Sequence, residues 1–435
     1  MSHSAQPYAP LPTLSSQTDA ELENLLSQVK ARYEQHKADQ LNLDLTRGKP
    51  SAEQLSLADS LDGILKGNYH SDEGLDTRNY GGLEGIAGAR TLGAKLLDTP
   101  VEHVYAQGNS SLTLMHQMMM TGYLFGFDGL QSAWSQRNSK LKFICPVPGY
   151  DRHFSVCEHF GIEMVTVPMT ATGPDMDVVE KLVAVDSTIV GMWCVPKYSN
   201  PTGVVYDDAT VLRIAKLGQS ASSDFRVFWD NAYSVHDLSE HPLSLKPIWD
   251  ALVSEGTEDS VIQFASTSKI THAGAGVAFV GASANNLAAY RKALSFLTIG
   301  PDKINQLRHV RFFEKNDLDE HMLAHAAILK PRFDSVLHHL RRAFSQNELG
   351  SWESPEGGYF VAFDTIKGCA KRVVQLAQEA GVKLTPAGAT FPYGNDPEDR
   401  NIRIAPSVPK LEEVEAAMKV FVTCVELASL ERCLL

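Results

Sequence analysis

The spacing of apolar residues changes period several times along the chain. Between Asp19 and His36, Leu22, Leu25, Leu26 and Val29 recur at helical spacing, which predicts an amphipathic helix. From residue 141 the pattern becomes a series of short apolar runs: 141–147 (LKFICPV), 162–168 (IEMVTVP), 188–196 (TIVGMWCVP), 226–230 (RVFWD), 261–266 (VIQFAS) and 277–282 (VAFVGA). These runs are rich in Val, Ile and Phe and do not alternate, as strands buried on both faces should not. Helical stretches such as 207–221 lie between them. The succession predicts an α/β fold, with a doubly wound, mostly parallel sheet of the seven-stranded type.

After about Gly300 the pattern changes. Residues 302–346 read as a long helical stretch interrupted near Lys330-Pro331, followed by a strand at 358–364 (GYFVAFD), a helix at 370–380, a short strand at 401–406 (NIRIAP) and a final helix at 410–428. These form a smaller α+β domain drawn from both chain ends. The expected division is a flexible arm over 1–20, rich in Pro, Ser and Gln; the N-terminal part of the small domain over 21–70; a large domain over 71–300; and the rest of the small domain over 301–435.

A chain of 435 residues exceeds one compact core. Its formal charge of −13 is spread along the chain, and no basic stripe is present to neutralise phosphates, which argues against a nucleic-acid partner. No window reaches the ~18 uninterrupted apolar residues of a membrane span. The N-terminus lacks the basic and apolar regions of a secretory signal. Six scattered cysteines with no CxxC pair read as reduced thiols, so the expected compartment is the cytoplasm.

The unusual residues fall just beyond predicted strands, where ligands gather in such sheets. Asn200 follows the strand 188–196, Asp230 closes 226–230, and Lys269 follows 261–266 within FASTSKITHAGAGVAF, a stretch with no acidic residue. A lysine desolvated among Ser266, Thr267 and Ser268 can have a depressed pKa and form a Schiff base with an aldehyde. The cofactor that uses such a lysine is pyridoxal 5'-phosphate, which needs a carboxylate at its ring nitrogen and a phosphate cradle. Asp230 can supply the first. Ser110, Ser266, Ser268 and the backbone near Gly108 and Asn109, ahead of a helix, can supply the second. Asn200 and Tyr233 can bond the ring's phenolic oxygen, and Arg403 offers a planar fork for a substrate carboxylate.

In their order, SNPTG (199–203), DNAY (230–233), STSK (266–269) and IRIAPS (402–407) resemble class I/II aminotransferases of the aspartate aminotransferase fold, as do NYGGLEG (79–85), QGNSS (107–111) and PGYDRHF (148–154). The likeness spans roughly residues 40 to 430, and within the family it is nearest an outlying branch of aspartate aminotransferases. The resemblance implies that Lys269 carries the cofactor and shuttles the proton between substrate Cα and cofactor C4′. It implies that Asp230 pairs the ring nitrogen, Asn200 and Tyr233 contact the phenolic oxygen, and Tyr150 stacks on the ring. Asn109, Ser110 and Ser266 would hold the phosphate, Tyr80 would reach it from a neighbouring subunit of a homodimer, and Arg403 would bind the α-carboxylate. Arg47 is a candidate for the substrate side chain. The implied reaction is a ping-pong transfer from an amino acid, aspartate for preference, to a 2-oxo acid such as 2-oxoglutarate. A lyase or decarboxylase of the same fold is the alternative.

One departure stands out. The family usually has a phosphate-gripping arginine eight residues after the lysine, and this chain has Val277; Lys303, Arg308 and Arg311 are the candidate substitutes. Arg47, Arg291 and the same three cations are candidates to read a dicarboxylate side chain. Other motif-like features carry less. GAGVAFVG (274–281) lacks the third glycine of a dinucleotide fingerprint and runs into a strand. His321 and His325 are four apart on a predicted helix, without the glutamate or third ligand of a metal site. Asn109-Ser110-Ser111 fits a glycosylation sequon that a cytosolic chain would not use.

Overall fold

The computed structural model describes residues 10–435, which divide into two compact units. The larger comprises Ala52–Ala327 with Glu356–Gly358. The smaller comprises the described residues up to Ser51, Ile328–Pro355 and Tyr359–Leu435.

The larger unit is built on one sheet of eight strands: β1 (Val104–Gln107), β2 (Lys142–Val147), β3 (Glu163–Thr170), β4 (Gly173–Pro174), β5 (Ile189–Cys194), β6 (Arg226–Asp230), β7 (Val261–Ser266) and β8 (Ala278–Ala282). Their spatial order is β1-β8-β7-β6-β5-β2-β3-β4. The pairs β3/β2, β2/β5, β5/β6 and β6/β7 are parallel, whereas β8 runs antiparallel to both its neighbours. The two-residue β4 is a hairpin return at the edge. Successive side chains of a strand point to opposite faces, and the apolar runs serve both. Phe143, Trp193, Phe228 and Phe264 pack on one face with Met115, Met118 and Tyr290. Ile144, Met192, Val227 and Trp229 pack on the other with Val179, Val211, Ile214 and Leu252. Each such side chain contributes ~1.5–3 kcal/mol on burial. The sheet is therefore covered on both sides, as unalternating strands require.

The smaller unit holds a three-stranded antiparallel sheet, Gly350–Trp352, Val361–Thr365 and Asn401–Ile404, and a parallel pair of Leu43–Leu45 with Val382–Leu384. The helices Ala370–Glu379 and Leu411–Cys433 pack with them, and Asp19–Ala38 packs on Leu411–Cys433. Thr18 and Glu21 form a reciprocal capping box that starts the first helix.

Three expectations are corrected. The unit boundaries fall at 51/52 and 327/328, not at 70/71 and 300/301. Residues 52–70 and 301–327 belong to the larger unit because Ala58 and Leu61 bury against Phe312, and Gln306 bonds both Ile86 N–H and Ala106 O at 2.9 Å. The helical stretch 302–346 is two helices, Lys303–Phe313 and Leu318–Phe344. The break is at 314–317, where Asp317 accepts from the Asp319 and Glu320 N–H groups and starts the second helix, while Pro331 lies inside that helix. The expected arm 1–20 lies partly outside the described residues. From Leu11 on it is held in place: Leu11 and Leu14 are buried, and Asn347 Nδ2 donates to Leu11 O at 3.1 Å. No helix among the described residues is long and apolar enough to cross a membrane.

Candidate active site

The larger unit gathers its reactive side chains beyond the carboxyl ends of β5, β6 and β7. Asp230, the last residue of β6, is 3% exposed. Its Oδ2 accepts from His153 Nε2 at 3.0 Å. His153 lies in the first turn of the helix Asp151–His159 that follows β2. It is 2% exposed, stacks on Trp193 with ring centroids 4.2 Å apart and 8° between planes, and meets the Tyr150 ring edge-on at 4.9 Å. The other carboxylate oxygen, Oδ1, is buried with no hydrogen-bond partner among the described residues. A carboxylate oxygen left so is costly, and a protonated pyridine nitrogen is the kind of donor that offsets that cost. On this observation the residues present fit pyridoxal phosphate. Tyr150, His153, Trp193 and Asn200 line one small cavity together.

Lys269 lies in the loop from β7 to β8. Thr267 N–H donates to Val277 O and Val277 N–H to Thr267 Oγ1, both at 2.9 Å, so the loop is closed at its neck. Lys269 Nζ lies 5.0 Å from the centre of the Tyr233 ring. Desolvation lowers the lysine's pKa, against a smaller opposing influence of the Asp230 charge. That is the state a nucleophilic amine requires.

The cradle expected for a phosphate is assembled from two loops. Ser110 is the extended N-cap residue of the helix Ser111–Met120 and makes no side-chain cap bond. Asn109 Nδ2 donates to Gly274 O at 3.0 Å, and Ser268 Oγ donates to Asn109 O at 3.1 Å. Ser268 N–H approaches Ser266 Oγ at 3.4 Å. Hydroxyls and a helix N-terminus therefore converge at one rim, an arrangement that suits an anion.

The larger unit thus brings together Lys269, Asp230, Tyr233, Asn200, Tyr150, Asn109, Ser110 and Ser266. Tyr80 belongs to the same unit but stands 80% exposed. Arg403 and Arg47 belong to the smaller unit. Arg403 is buried in the strand Asn401–Ile404, 4.7 Å over the Phe360 ring, with Nε 3.4 Å from Thr385 Oγ1; Arg47 is exposed.

Val277 faces the apolar cluster of Ile86, Ala89 and Phe279 and is 1% exposed. The candidate cations make other bonds: Lys303 Nζ donates to Gly81 O at 2.7 Å, Arg308 Nε to Leu61 O at 3.2 Å, and Arg311 pairs with Asp72 and Glu314. Arg291 pairs with Glu84.

His153 escaped the sequence reading, although it lies in the PGYDRHF segment that drew attention to Tyr150. Its signal was a histidine in the first turn of the helix that follows a buried strand. A larger polar hollow, lined by His103, Arg226, Trp249 and Asp259, opens at the opposite end of the sheet and holds none of the residues above.

The family model described as aspartate amino-transferase matches residues 17–434. An aspartate aminotransferase of Corynebacterium glutamicum is 44% identical over 428 residues, covering 98% of this chain and 98% of its own. The crystal structure of an aspartate transaminase from that organism superposes with a TM-score of 0.93 at 44% identity, over 97% of this chain and 99% of the other. At 20% identity, an α-aminoadipate aminotransferase of Thermus thermophilus, complexed with N-(5'-phosphopyridoxyl)-L-leucine, shares the fold with a TM-score of 0.72, over 90% of this chain and 93% of that one.

Proposed function

Since the chain belongs to the aspartate aminotransferase family and is an aminotransferase, we propose that it works with pyridoxal 5'-phosphate bound through Lys269, and that it moves the amino group of aspartate to 2-oxoglutarate in a ping-pong cycle. The observation that carries the cofactor assignment is the orphaned Oδ1 of buried Asp230, within a site that also holds a desolvated lysine. The 44% identity to a protein named aspartate aminotransferase supports the substrate assignment. The family match also favours amino transfer over the lyase or decarboxylase reaction.

When bound, the cofactor supplies an electron-accepting ring that stabilises negative charge at the substrate Cα. Asp230 holds the ring nitrogen protonated, and His153 fixes the carboxylate. The Lys269 amine, its pKa lowered by desolvation, would move the proton between the substrate Cα and C4′. Tyr233 and Asn200 bond the phenolic oxygen and Tyr150 covers the ring. Asn109, Ser110 and Ser266 hold the phosphate by hydroxyls, amide and helix terminus in place of an arginine at 277. Arg403 receives the α-carboxylate, and Arg47 serves the substrate side chain.

A second copy of the chain is the proposed partner. Tyr80, Phe296 and Ile299 are 80%, 75% and 64% exposed. A side chain at Gly300 would strike Gly81 O at 2.6 Å, so the segments bearing Tyr80 and Ile299 run side by side. An apolar patch of that kind is suited to a subunit interface, from which Tyr80 would serve the neighbour's phosphate. The cytoplasm is the proposed location, consistent with six cysteines that form no disulfide.

The test is spectroscopic and kinetic. Purified protein should be yellow and lose its colour with Lys269→Ala, and among amino acids offered with 2-oxoglutarate, aspartate should give the highest initial rate. A colourless protein that cannot be reconstituted with pyridoxal phosphate would sink the cofactor assignment, and a different preferred donor would sink the substrate.

A further inference from the structure

The three residues Lys269, Ile270 and Thr271 each meet a buried histidine. His236 Nε2 lies 3.3 Å from Lys269 O. His321 Nε2 and His325 Nε2 lie 2.6 and 2.9 Å from Ile270 O, and 3.2 Å from each other. His309 Nε2 lies 2.9 Å from Thr271 Oγ1. The four rings come from separate places: the turn after β6, the helix Lys303–Phe313, and two successive turns of the helix Leu318–Phe344.

The partners assign the tautomers. A carbonyl oxygen only accepts, so His236, His321 and His325 carry their hydrogen on Nε2. His325 Nδ1 is then an acceptor, and Gln54 Nε2 lies 3.1 Å from it to donate. His309 is the opposite case: its Nδ1 donates to Asn305 O at 2.9 Å, which leaves Nε2 to accept from the Thr271 hydroxyl. Asn305 Nδ2 closes the circuit by donating to Ala275 O and Gly276 O at 2.9 and 3.0 Å, on the far limb of the same loop. The convergence of His321 and His325 thus reflects two N–H groups sharing one oxygen, which has two lone pairs to offer.

We propose that His236, His309, His321 and His325 are positioning residues for the amine of Lys269: four neutral imidazoles that grip its loop through two carbonyls and one hydroxyl and hold it at the carboxyl end of β7. The inference rests on Lys269 being the cofactor lysine. Backbone carbonyls are the right handle for this purpose, because they fix the chain from the Lys269 carbonyl onward and leave its side chain to reach and withdraw. Imidazole also adds no fixed charge next to an amine that must itself be uncharged, as lysine or arginine donors would. All four rings are desolvated, which lowers their pKa values and keeps them neutral. The titratable groups that face them act the same way, when charged, for the most part: Lys269, Lys197 and His325 toward His236; Arg308 and His272, opposed by Asp302, toward His309; and His321 toward His325.

Two measurements test the clamp, after cofactor uptake by the wild-type chain has tested the assignment of Lys269 separately. The first uses wild-type holoenzyme with 15N-labelled histidine. Long-range proton–nitrogen spectra at pH 7.5 should give the Nε2–H form for His236, His321 and His325 and the Nδ1–H form for His309. A charged ring, or an Nδ1–H form at any of the first three, would overturn the proposal. The second compares His321→Leu and His325→Leu with His321→Gln and His325→Gln, since glutamine places an N–H at the depth of Nε2. In cofactor-free protein the leucine variants should exchange the amides of 267–277 about tenfold faster than wild type, and the Lys269 amine should react about tenfold more slowly with a small aldehyde at pH 7 as it regains its charge. The glutamine variants should stay within about threefold of wild type in both. Wild-type exchange and reactivity in the leucine variants would refute the clamp, as would glutamine variants as impaired as the leucine ones.

Discussion

Replacing His153 by leucine removes the N–H that reaches Asp230 Oδ2 at 3.0 Å, while keeping apolar bulk against Trp193. A hydrogen bond to an ionised acceptor contributes ~1.5–3 kcal/mol, and with both side chains buried the upper half of that range applies. Since Oδ1 already has no donor among the described residues, the variant's carboxylate would lose the one side-chain donor that fixes it. A carboxylate no longer held in place bonds the ring nitrogen less well. Two losses follow, and they are separable. Affinity for pyridoxal phosphate should fall by roughly 40- to 150-fold, the equivalent of ~2.2–3 kcal/mol. At saturating cofactor, kcat should still be depressed, because ring electronics and not occupancy is then at fault. Fluorescence titration of cofactor-free protein gives the first and steady-state kinetics with excess cofactor the second. His153→Gln, which keeps an N–H, should recover most of the affinity. A leucine variant that binds cofactor within about threefold of wild type and keeps its kcat would refute the reasoning.

Lys269→Ala should lower the transfer rate by at least ~10²–10⁴-fold, the range for a positioned acid–base group, in single-turnover assays with cofactor added in excess. Arg403→Ala should raise KM for the amino donor through the loss of a charge-assisted bond worth ~1.5–3 kcal/mol, with cofactor absorbance unchanged; a shifted spectrum would place Arg403 in the cofactor site instead. Val277→Arg should not tighten phosphate binding. It puts an unpaired cation into the cluster of Ile86, Ala89 and Phe279 and should destabilise by ~3–5 kcal/mol, read from the urea midpoint. Acid should weaken the fold through the loop histidines: their folded pKa values are lowered, to about 3 for His236 and about 4 for His309 and His325. Their contribution is therefore complete above the unfolded value of ~6.5 and is lost as pH falls toward those values. Glu426, pushed up to about 7 by burial, acts in the opposite sense but is one group against several, so urea midpoints should fall between pH 7.5 and 4.5. A flat profile would contradict this.

The sheet was legible because its strands are buried on both faces and so read as unbroken Val, Ile and Phe runs, as at Ile189–Cys194 and Arg226–Asp230. Val104–Gln107 was not, since four residues carry too little pattern to stand out. The break at 314–317 was missed for a different reason. Pro331 is the louder local signal, yet a side-chain cap at Asp317 and the burial of Phe312 with Leu61 decide where the helices part. In the site, residues next to strand ends were readable because strand ends could be located. The four histidines around the Lys269 loop act through tertiary contacts between distant segments, and nothing in their immediate neighbours announces it. His321 and His325 show the limit well: their i, i+4 spacing was visible, but the shared carbonyl of Ile270 was not.

The smaller unit is made from segments that precede and follow the larger one, and this has a consequence for biosynthesis. As the polypeptide leaves the ribosome, the segment Ala52–Ala327 emerges uninterrupted and can collapse around its own sheet. The helix Asp19–Ala38 and the strand Leu43–Leu45 appear before it but must wait for partners made after it, Val382–Leu384 and the helix Leu411–Cys433. Until those are made, Leu22, Val29 and Tyr33, all buried in the finished fold, lack the helix that covers them. Domains fold as units during synthesis, and exposed apolar surface invites association in the meantime. The helix Asp19–Ala38 therefore stays uncovered while the whole larger unit is made, which makes it a natural point of engagement for a chaperone.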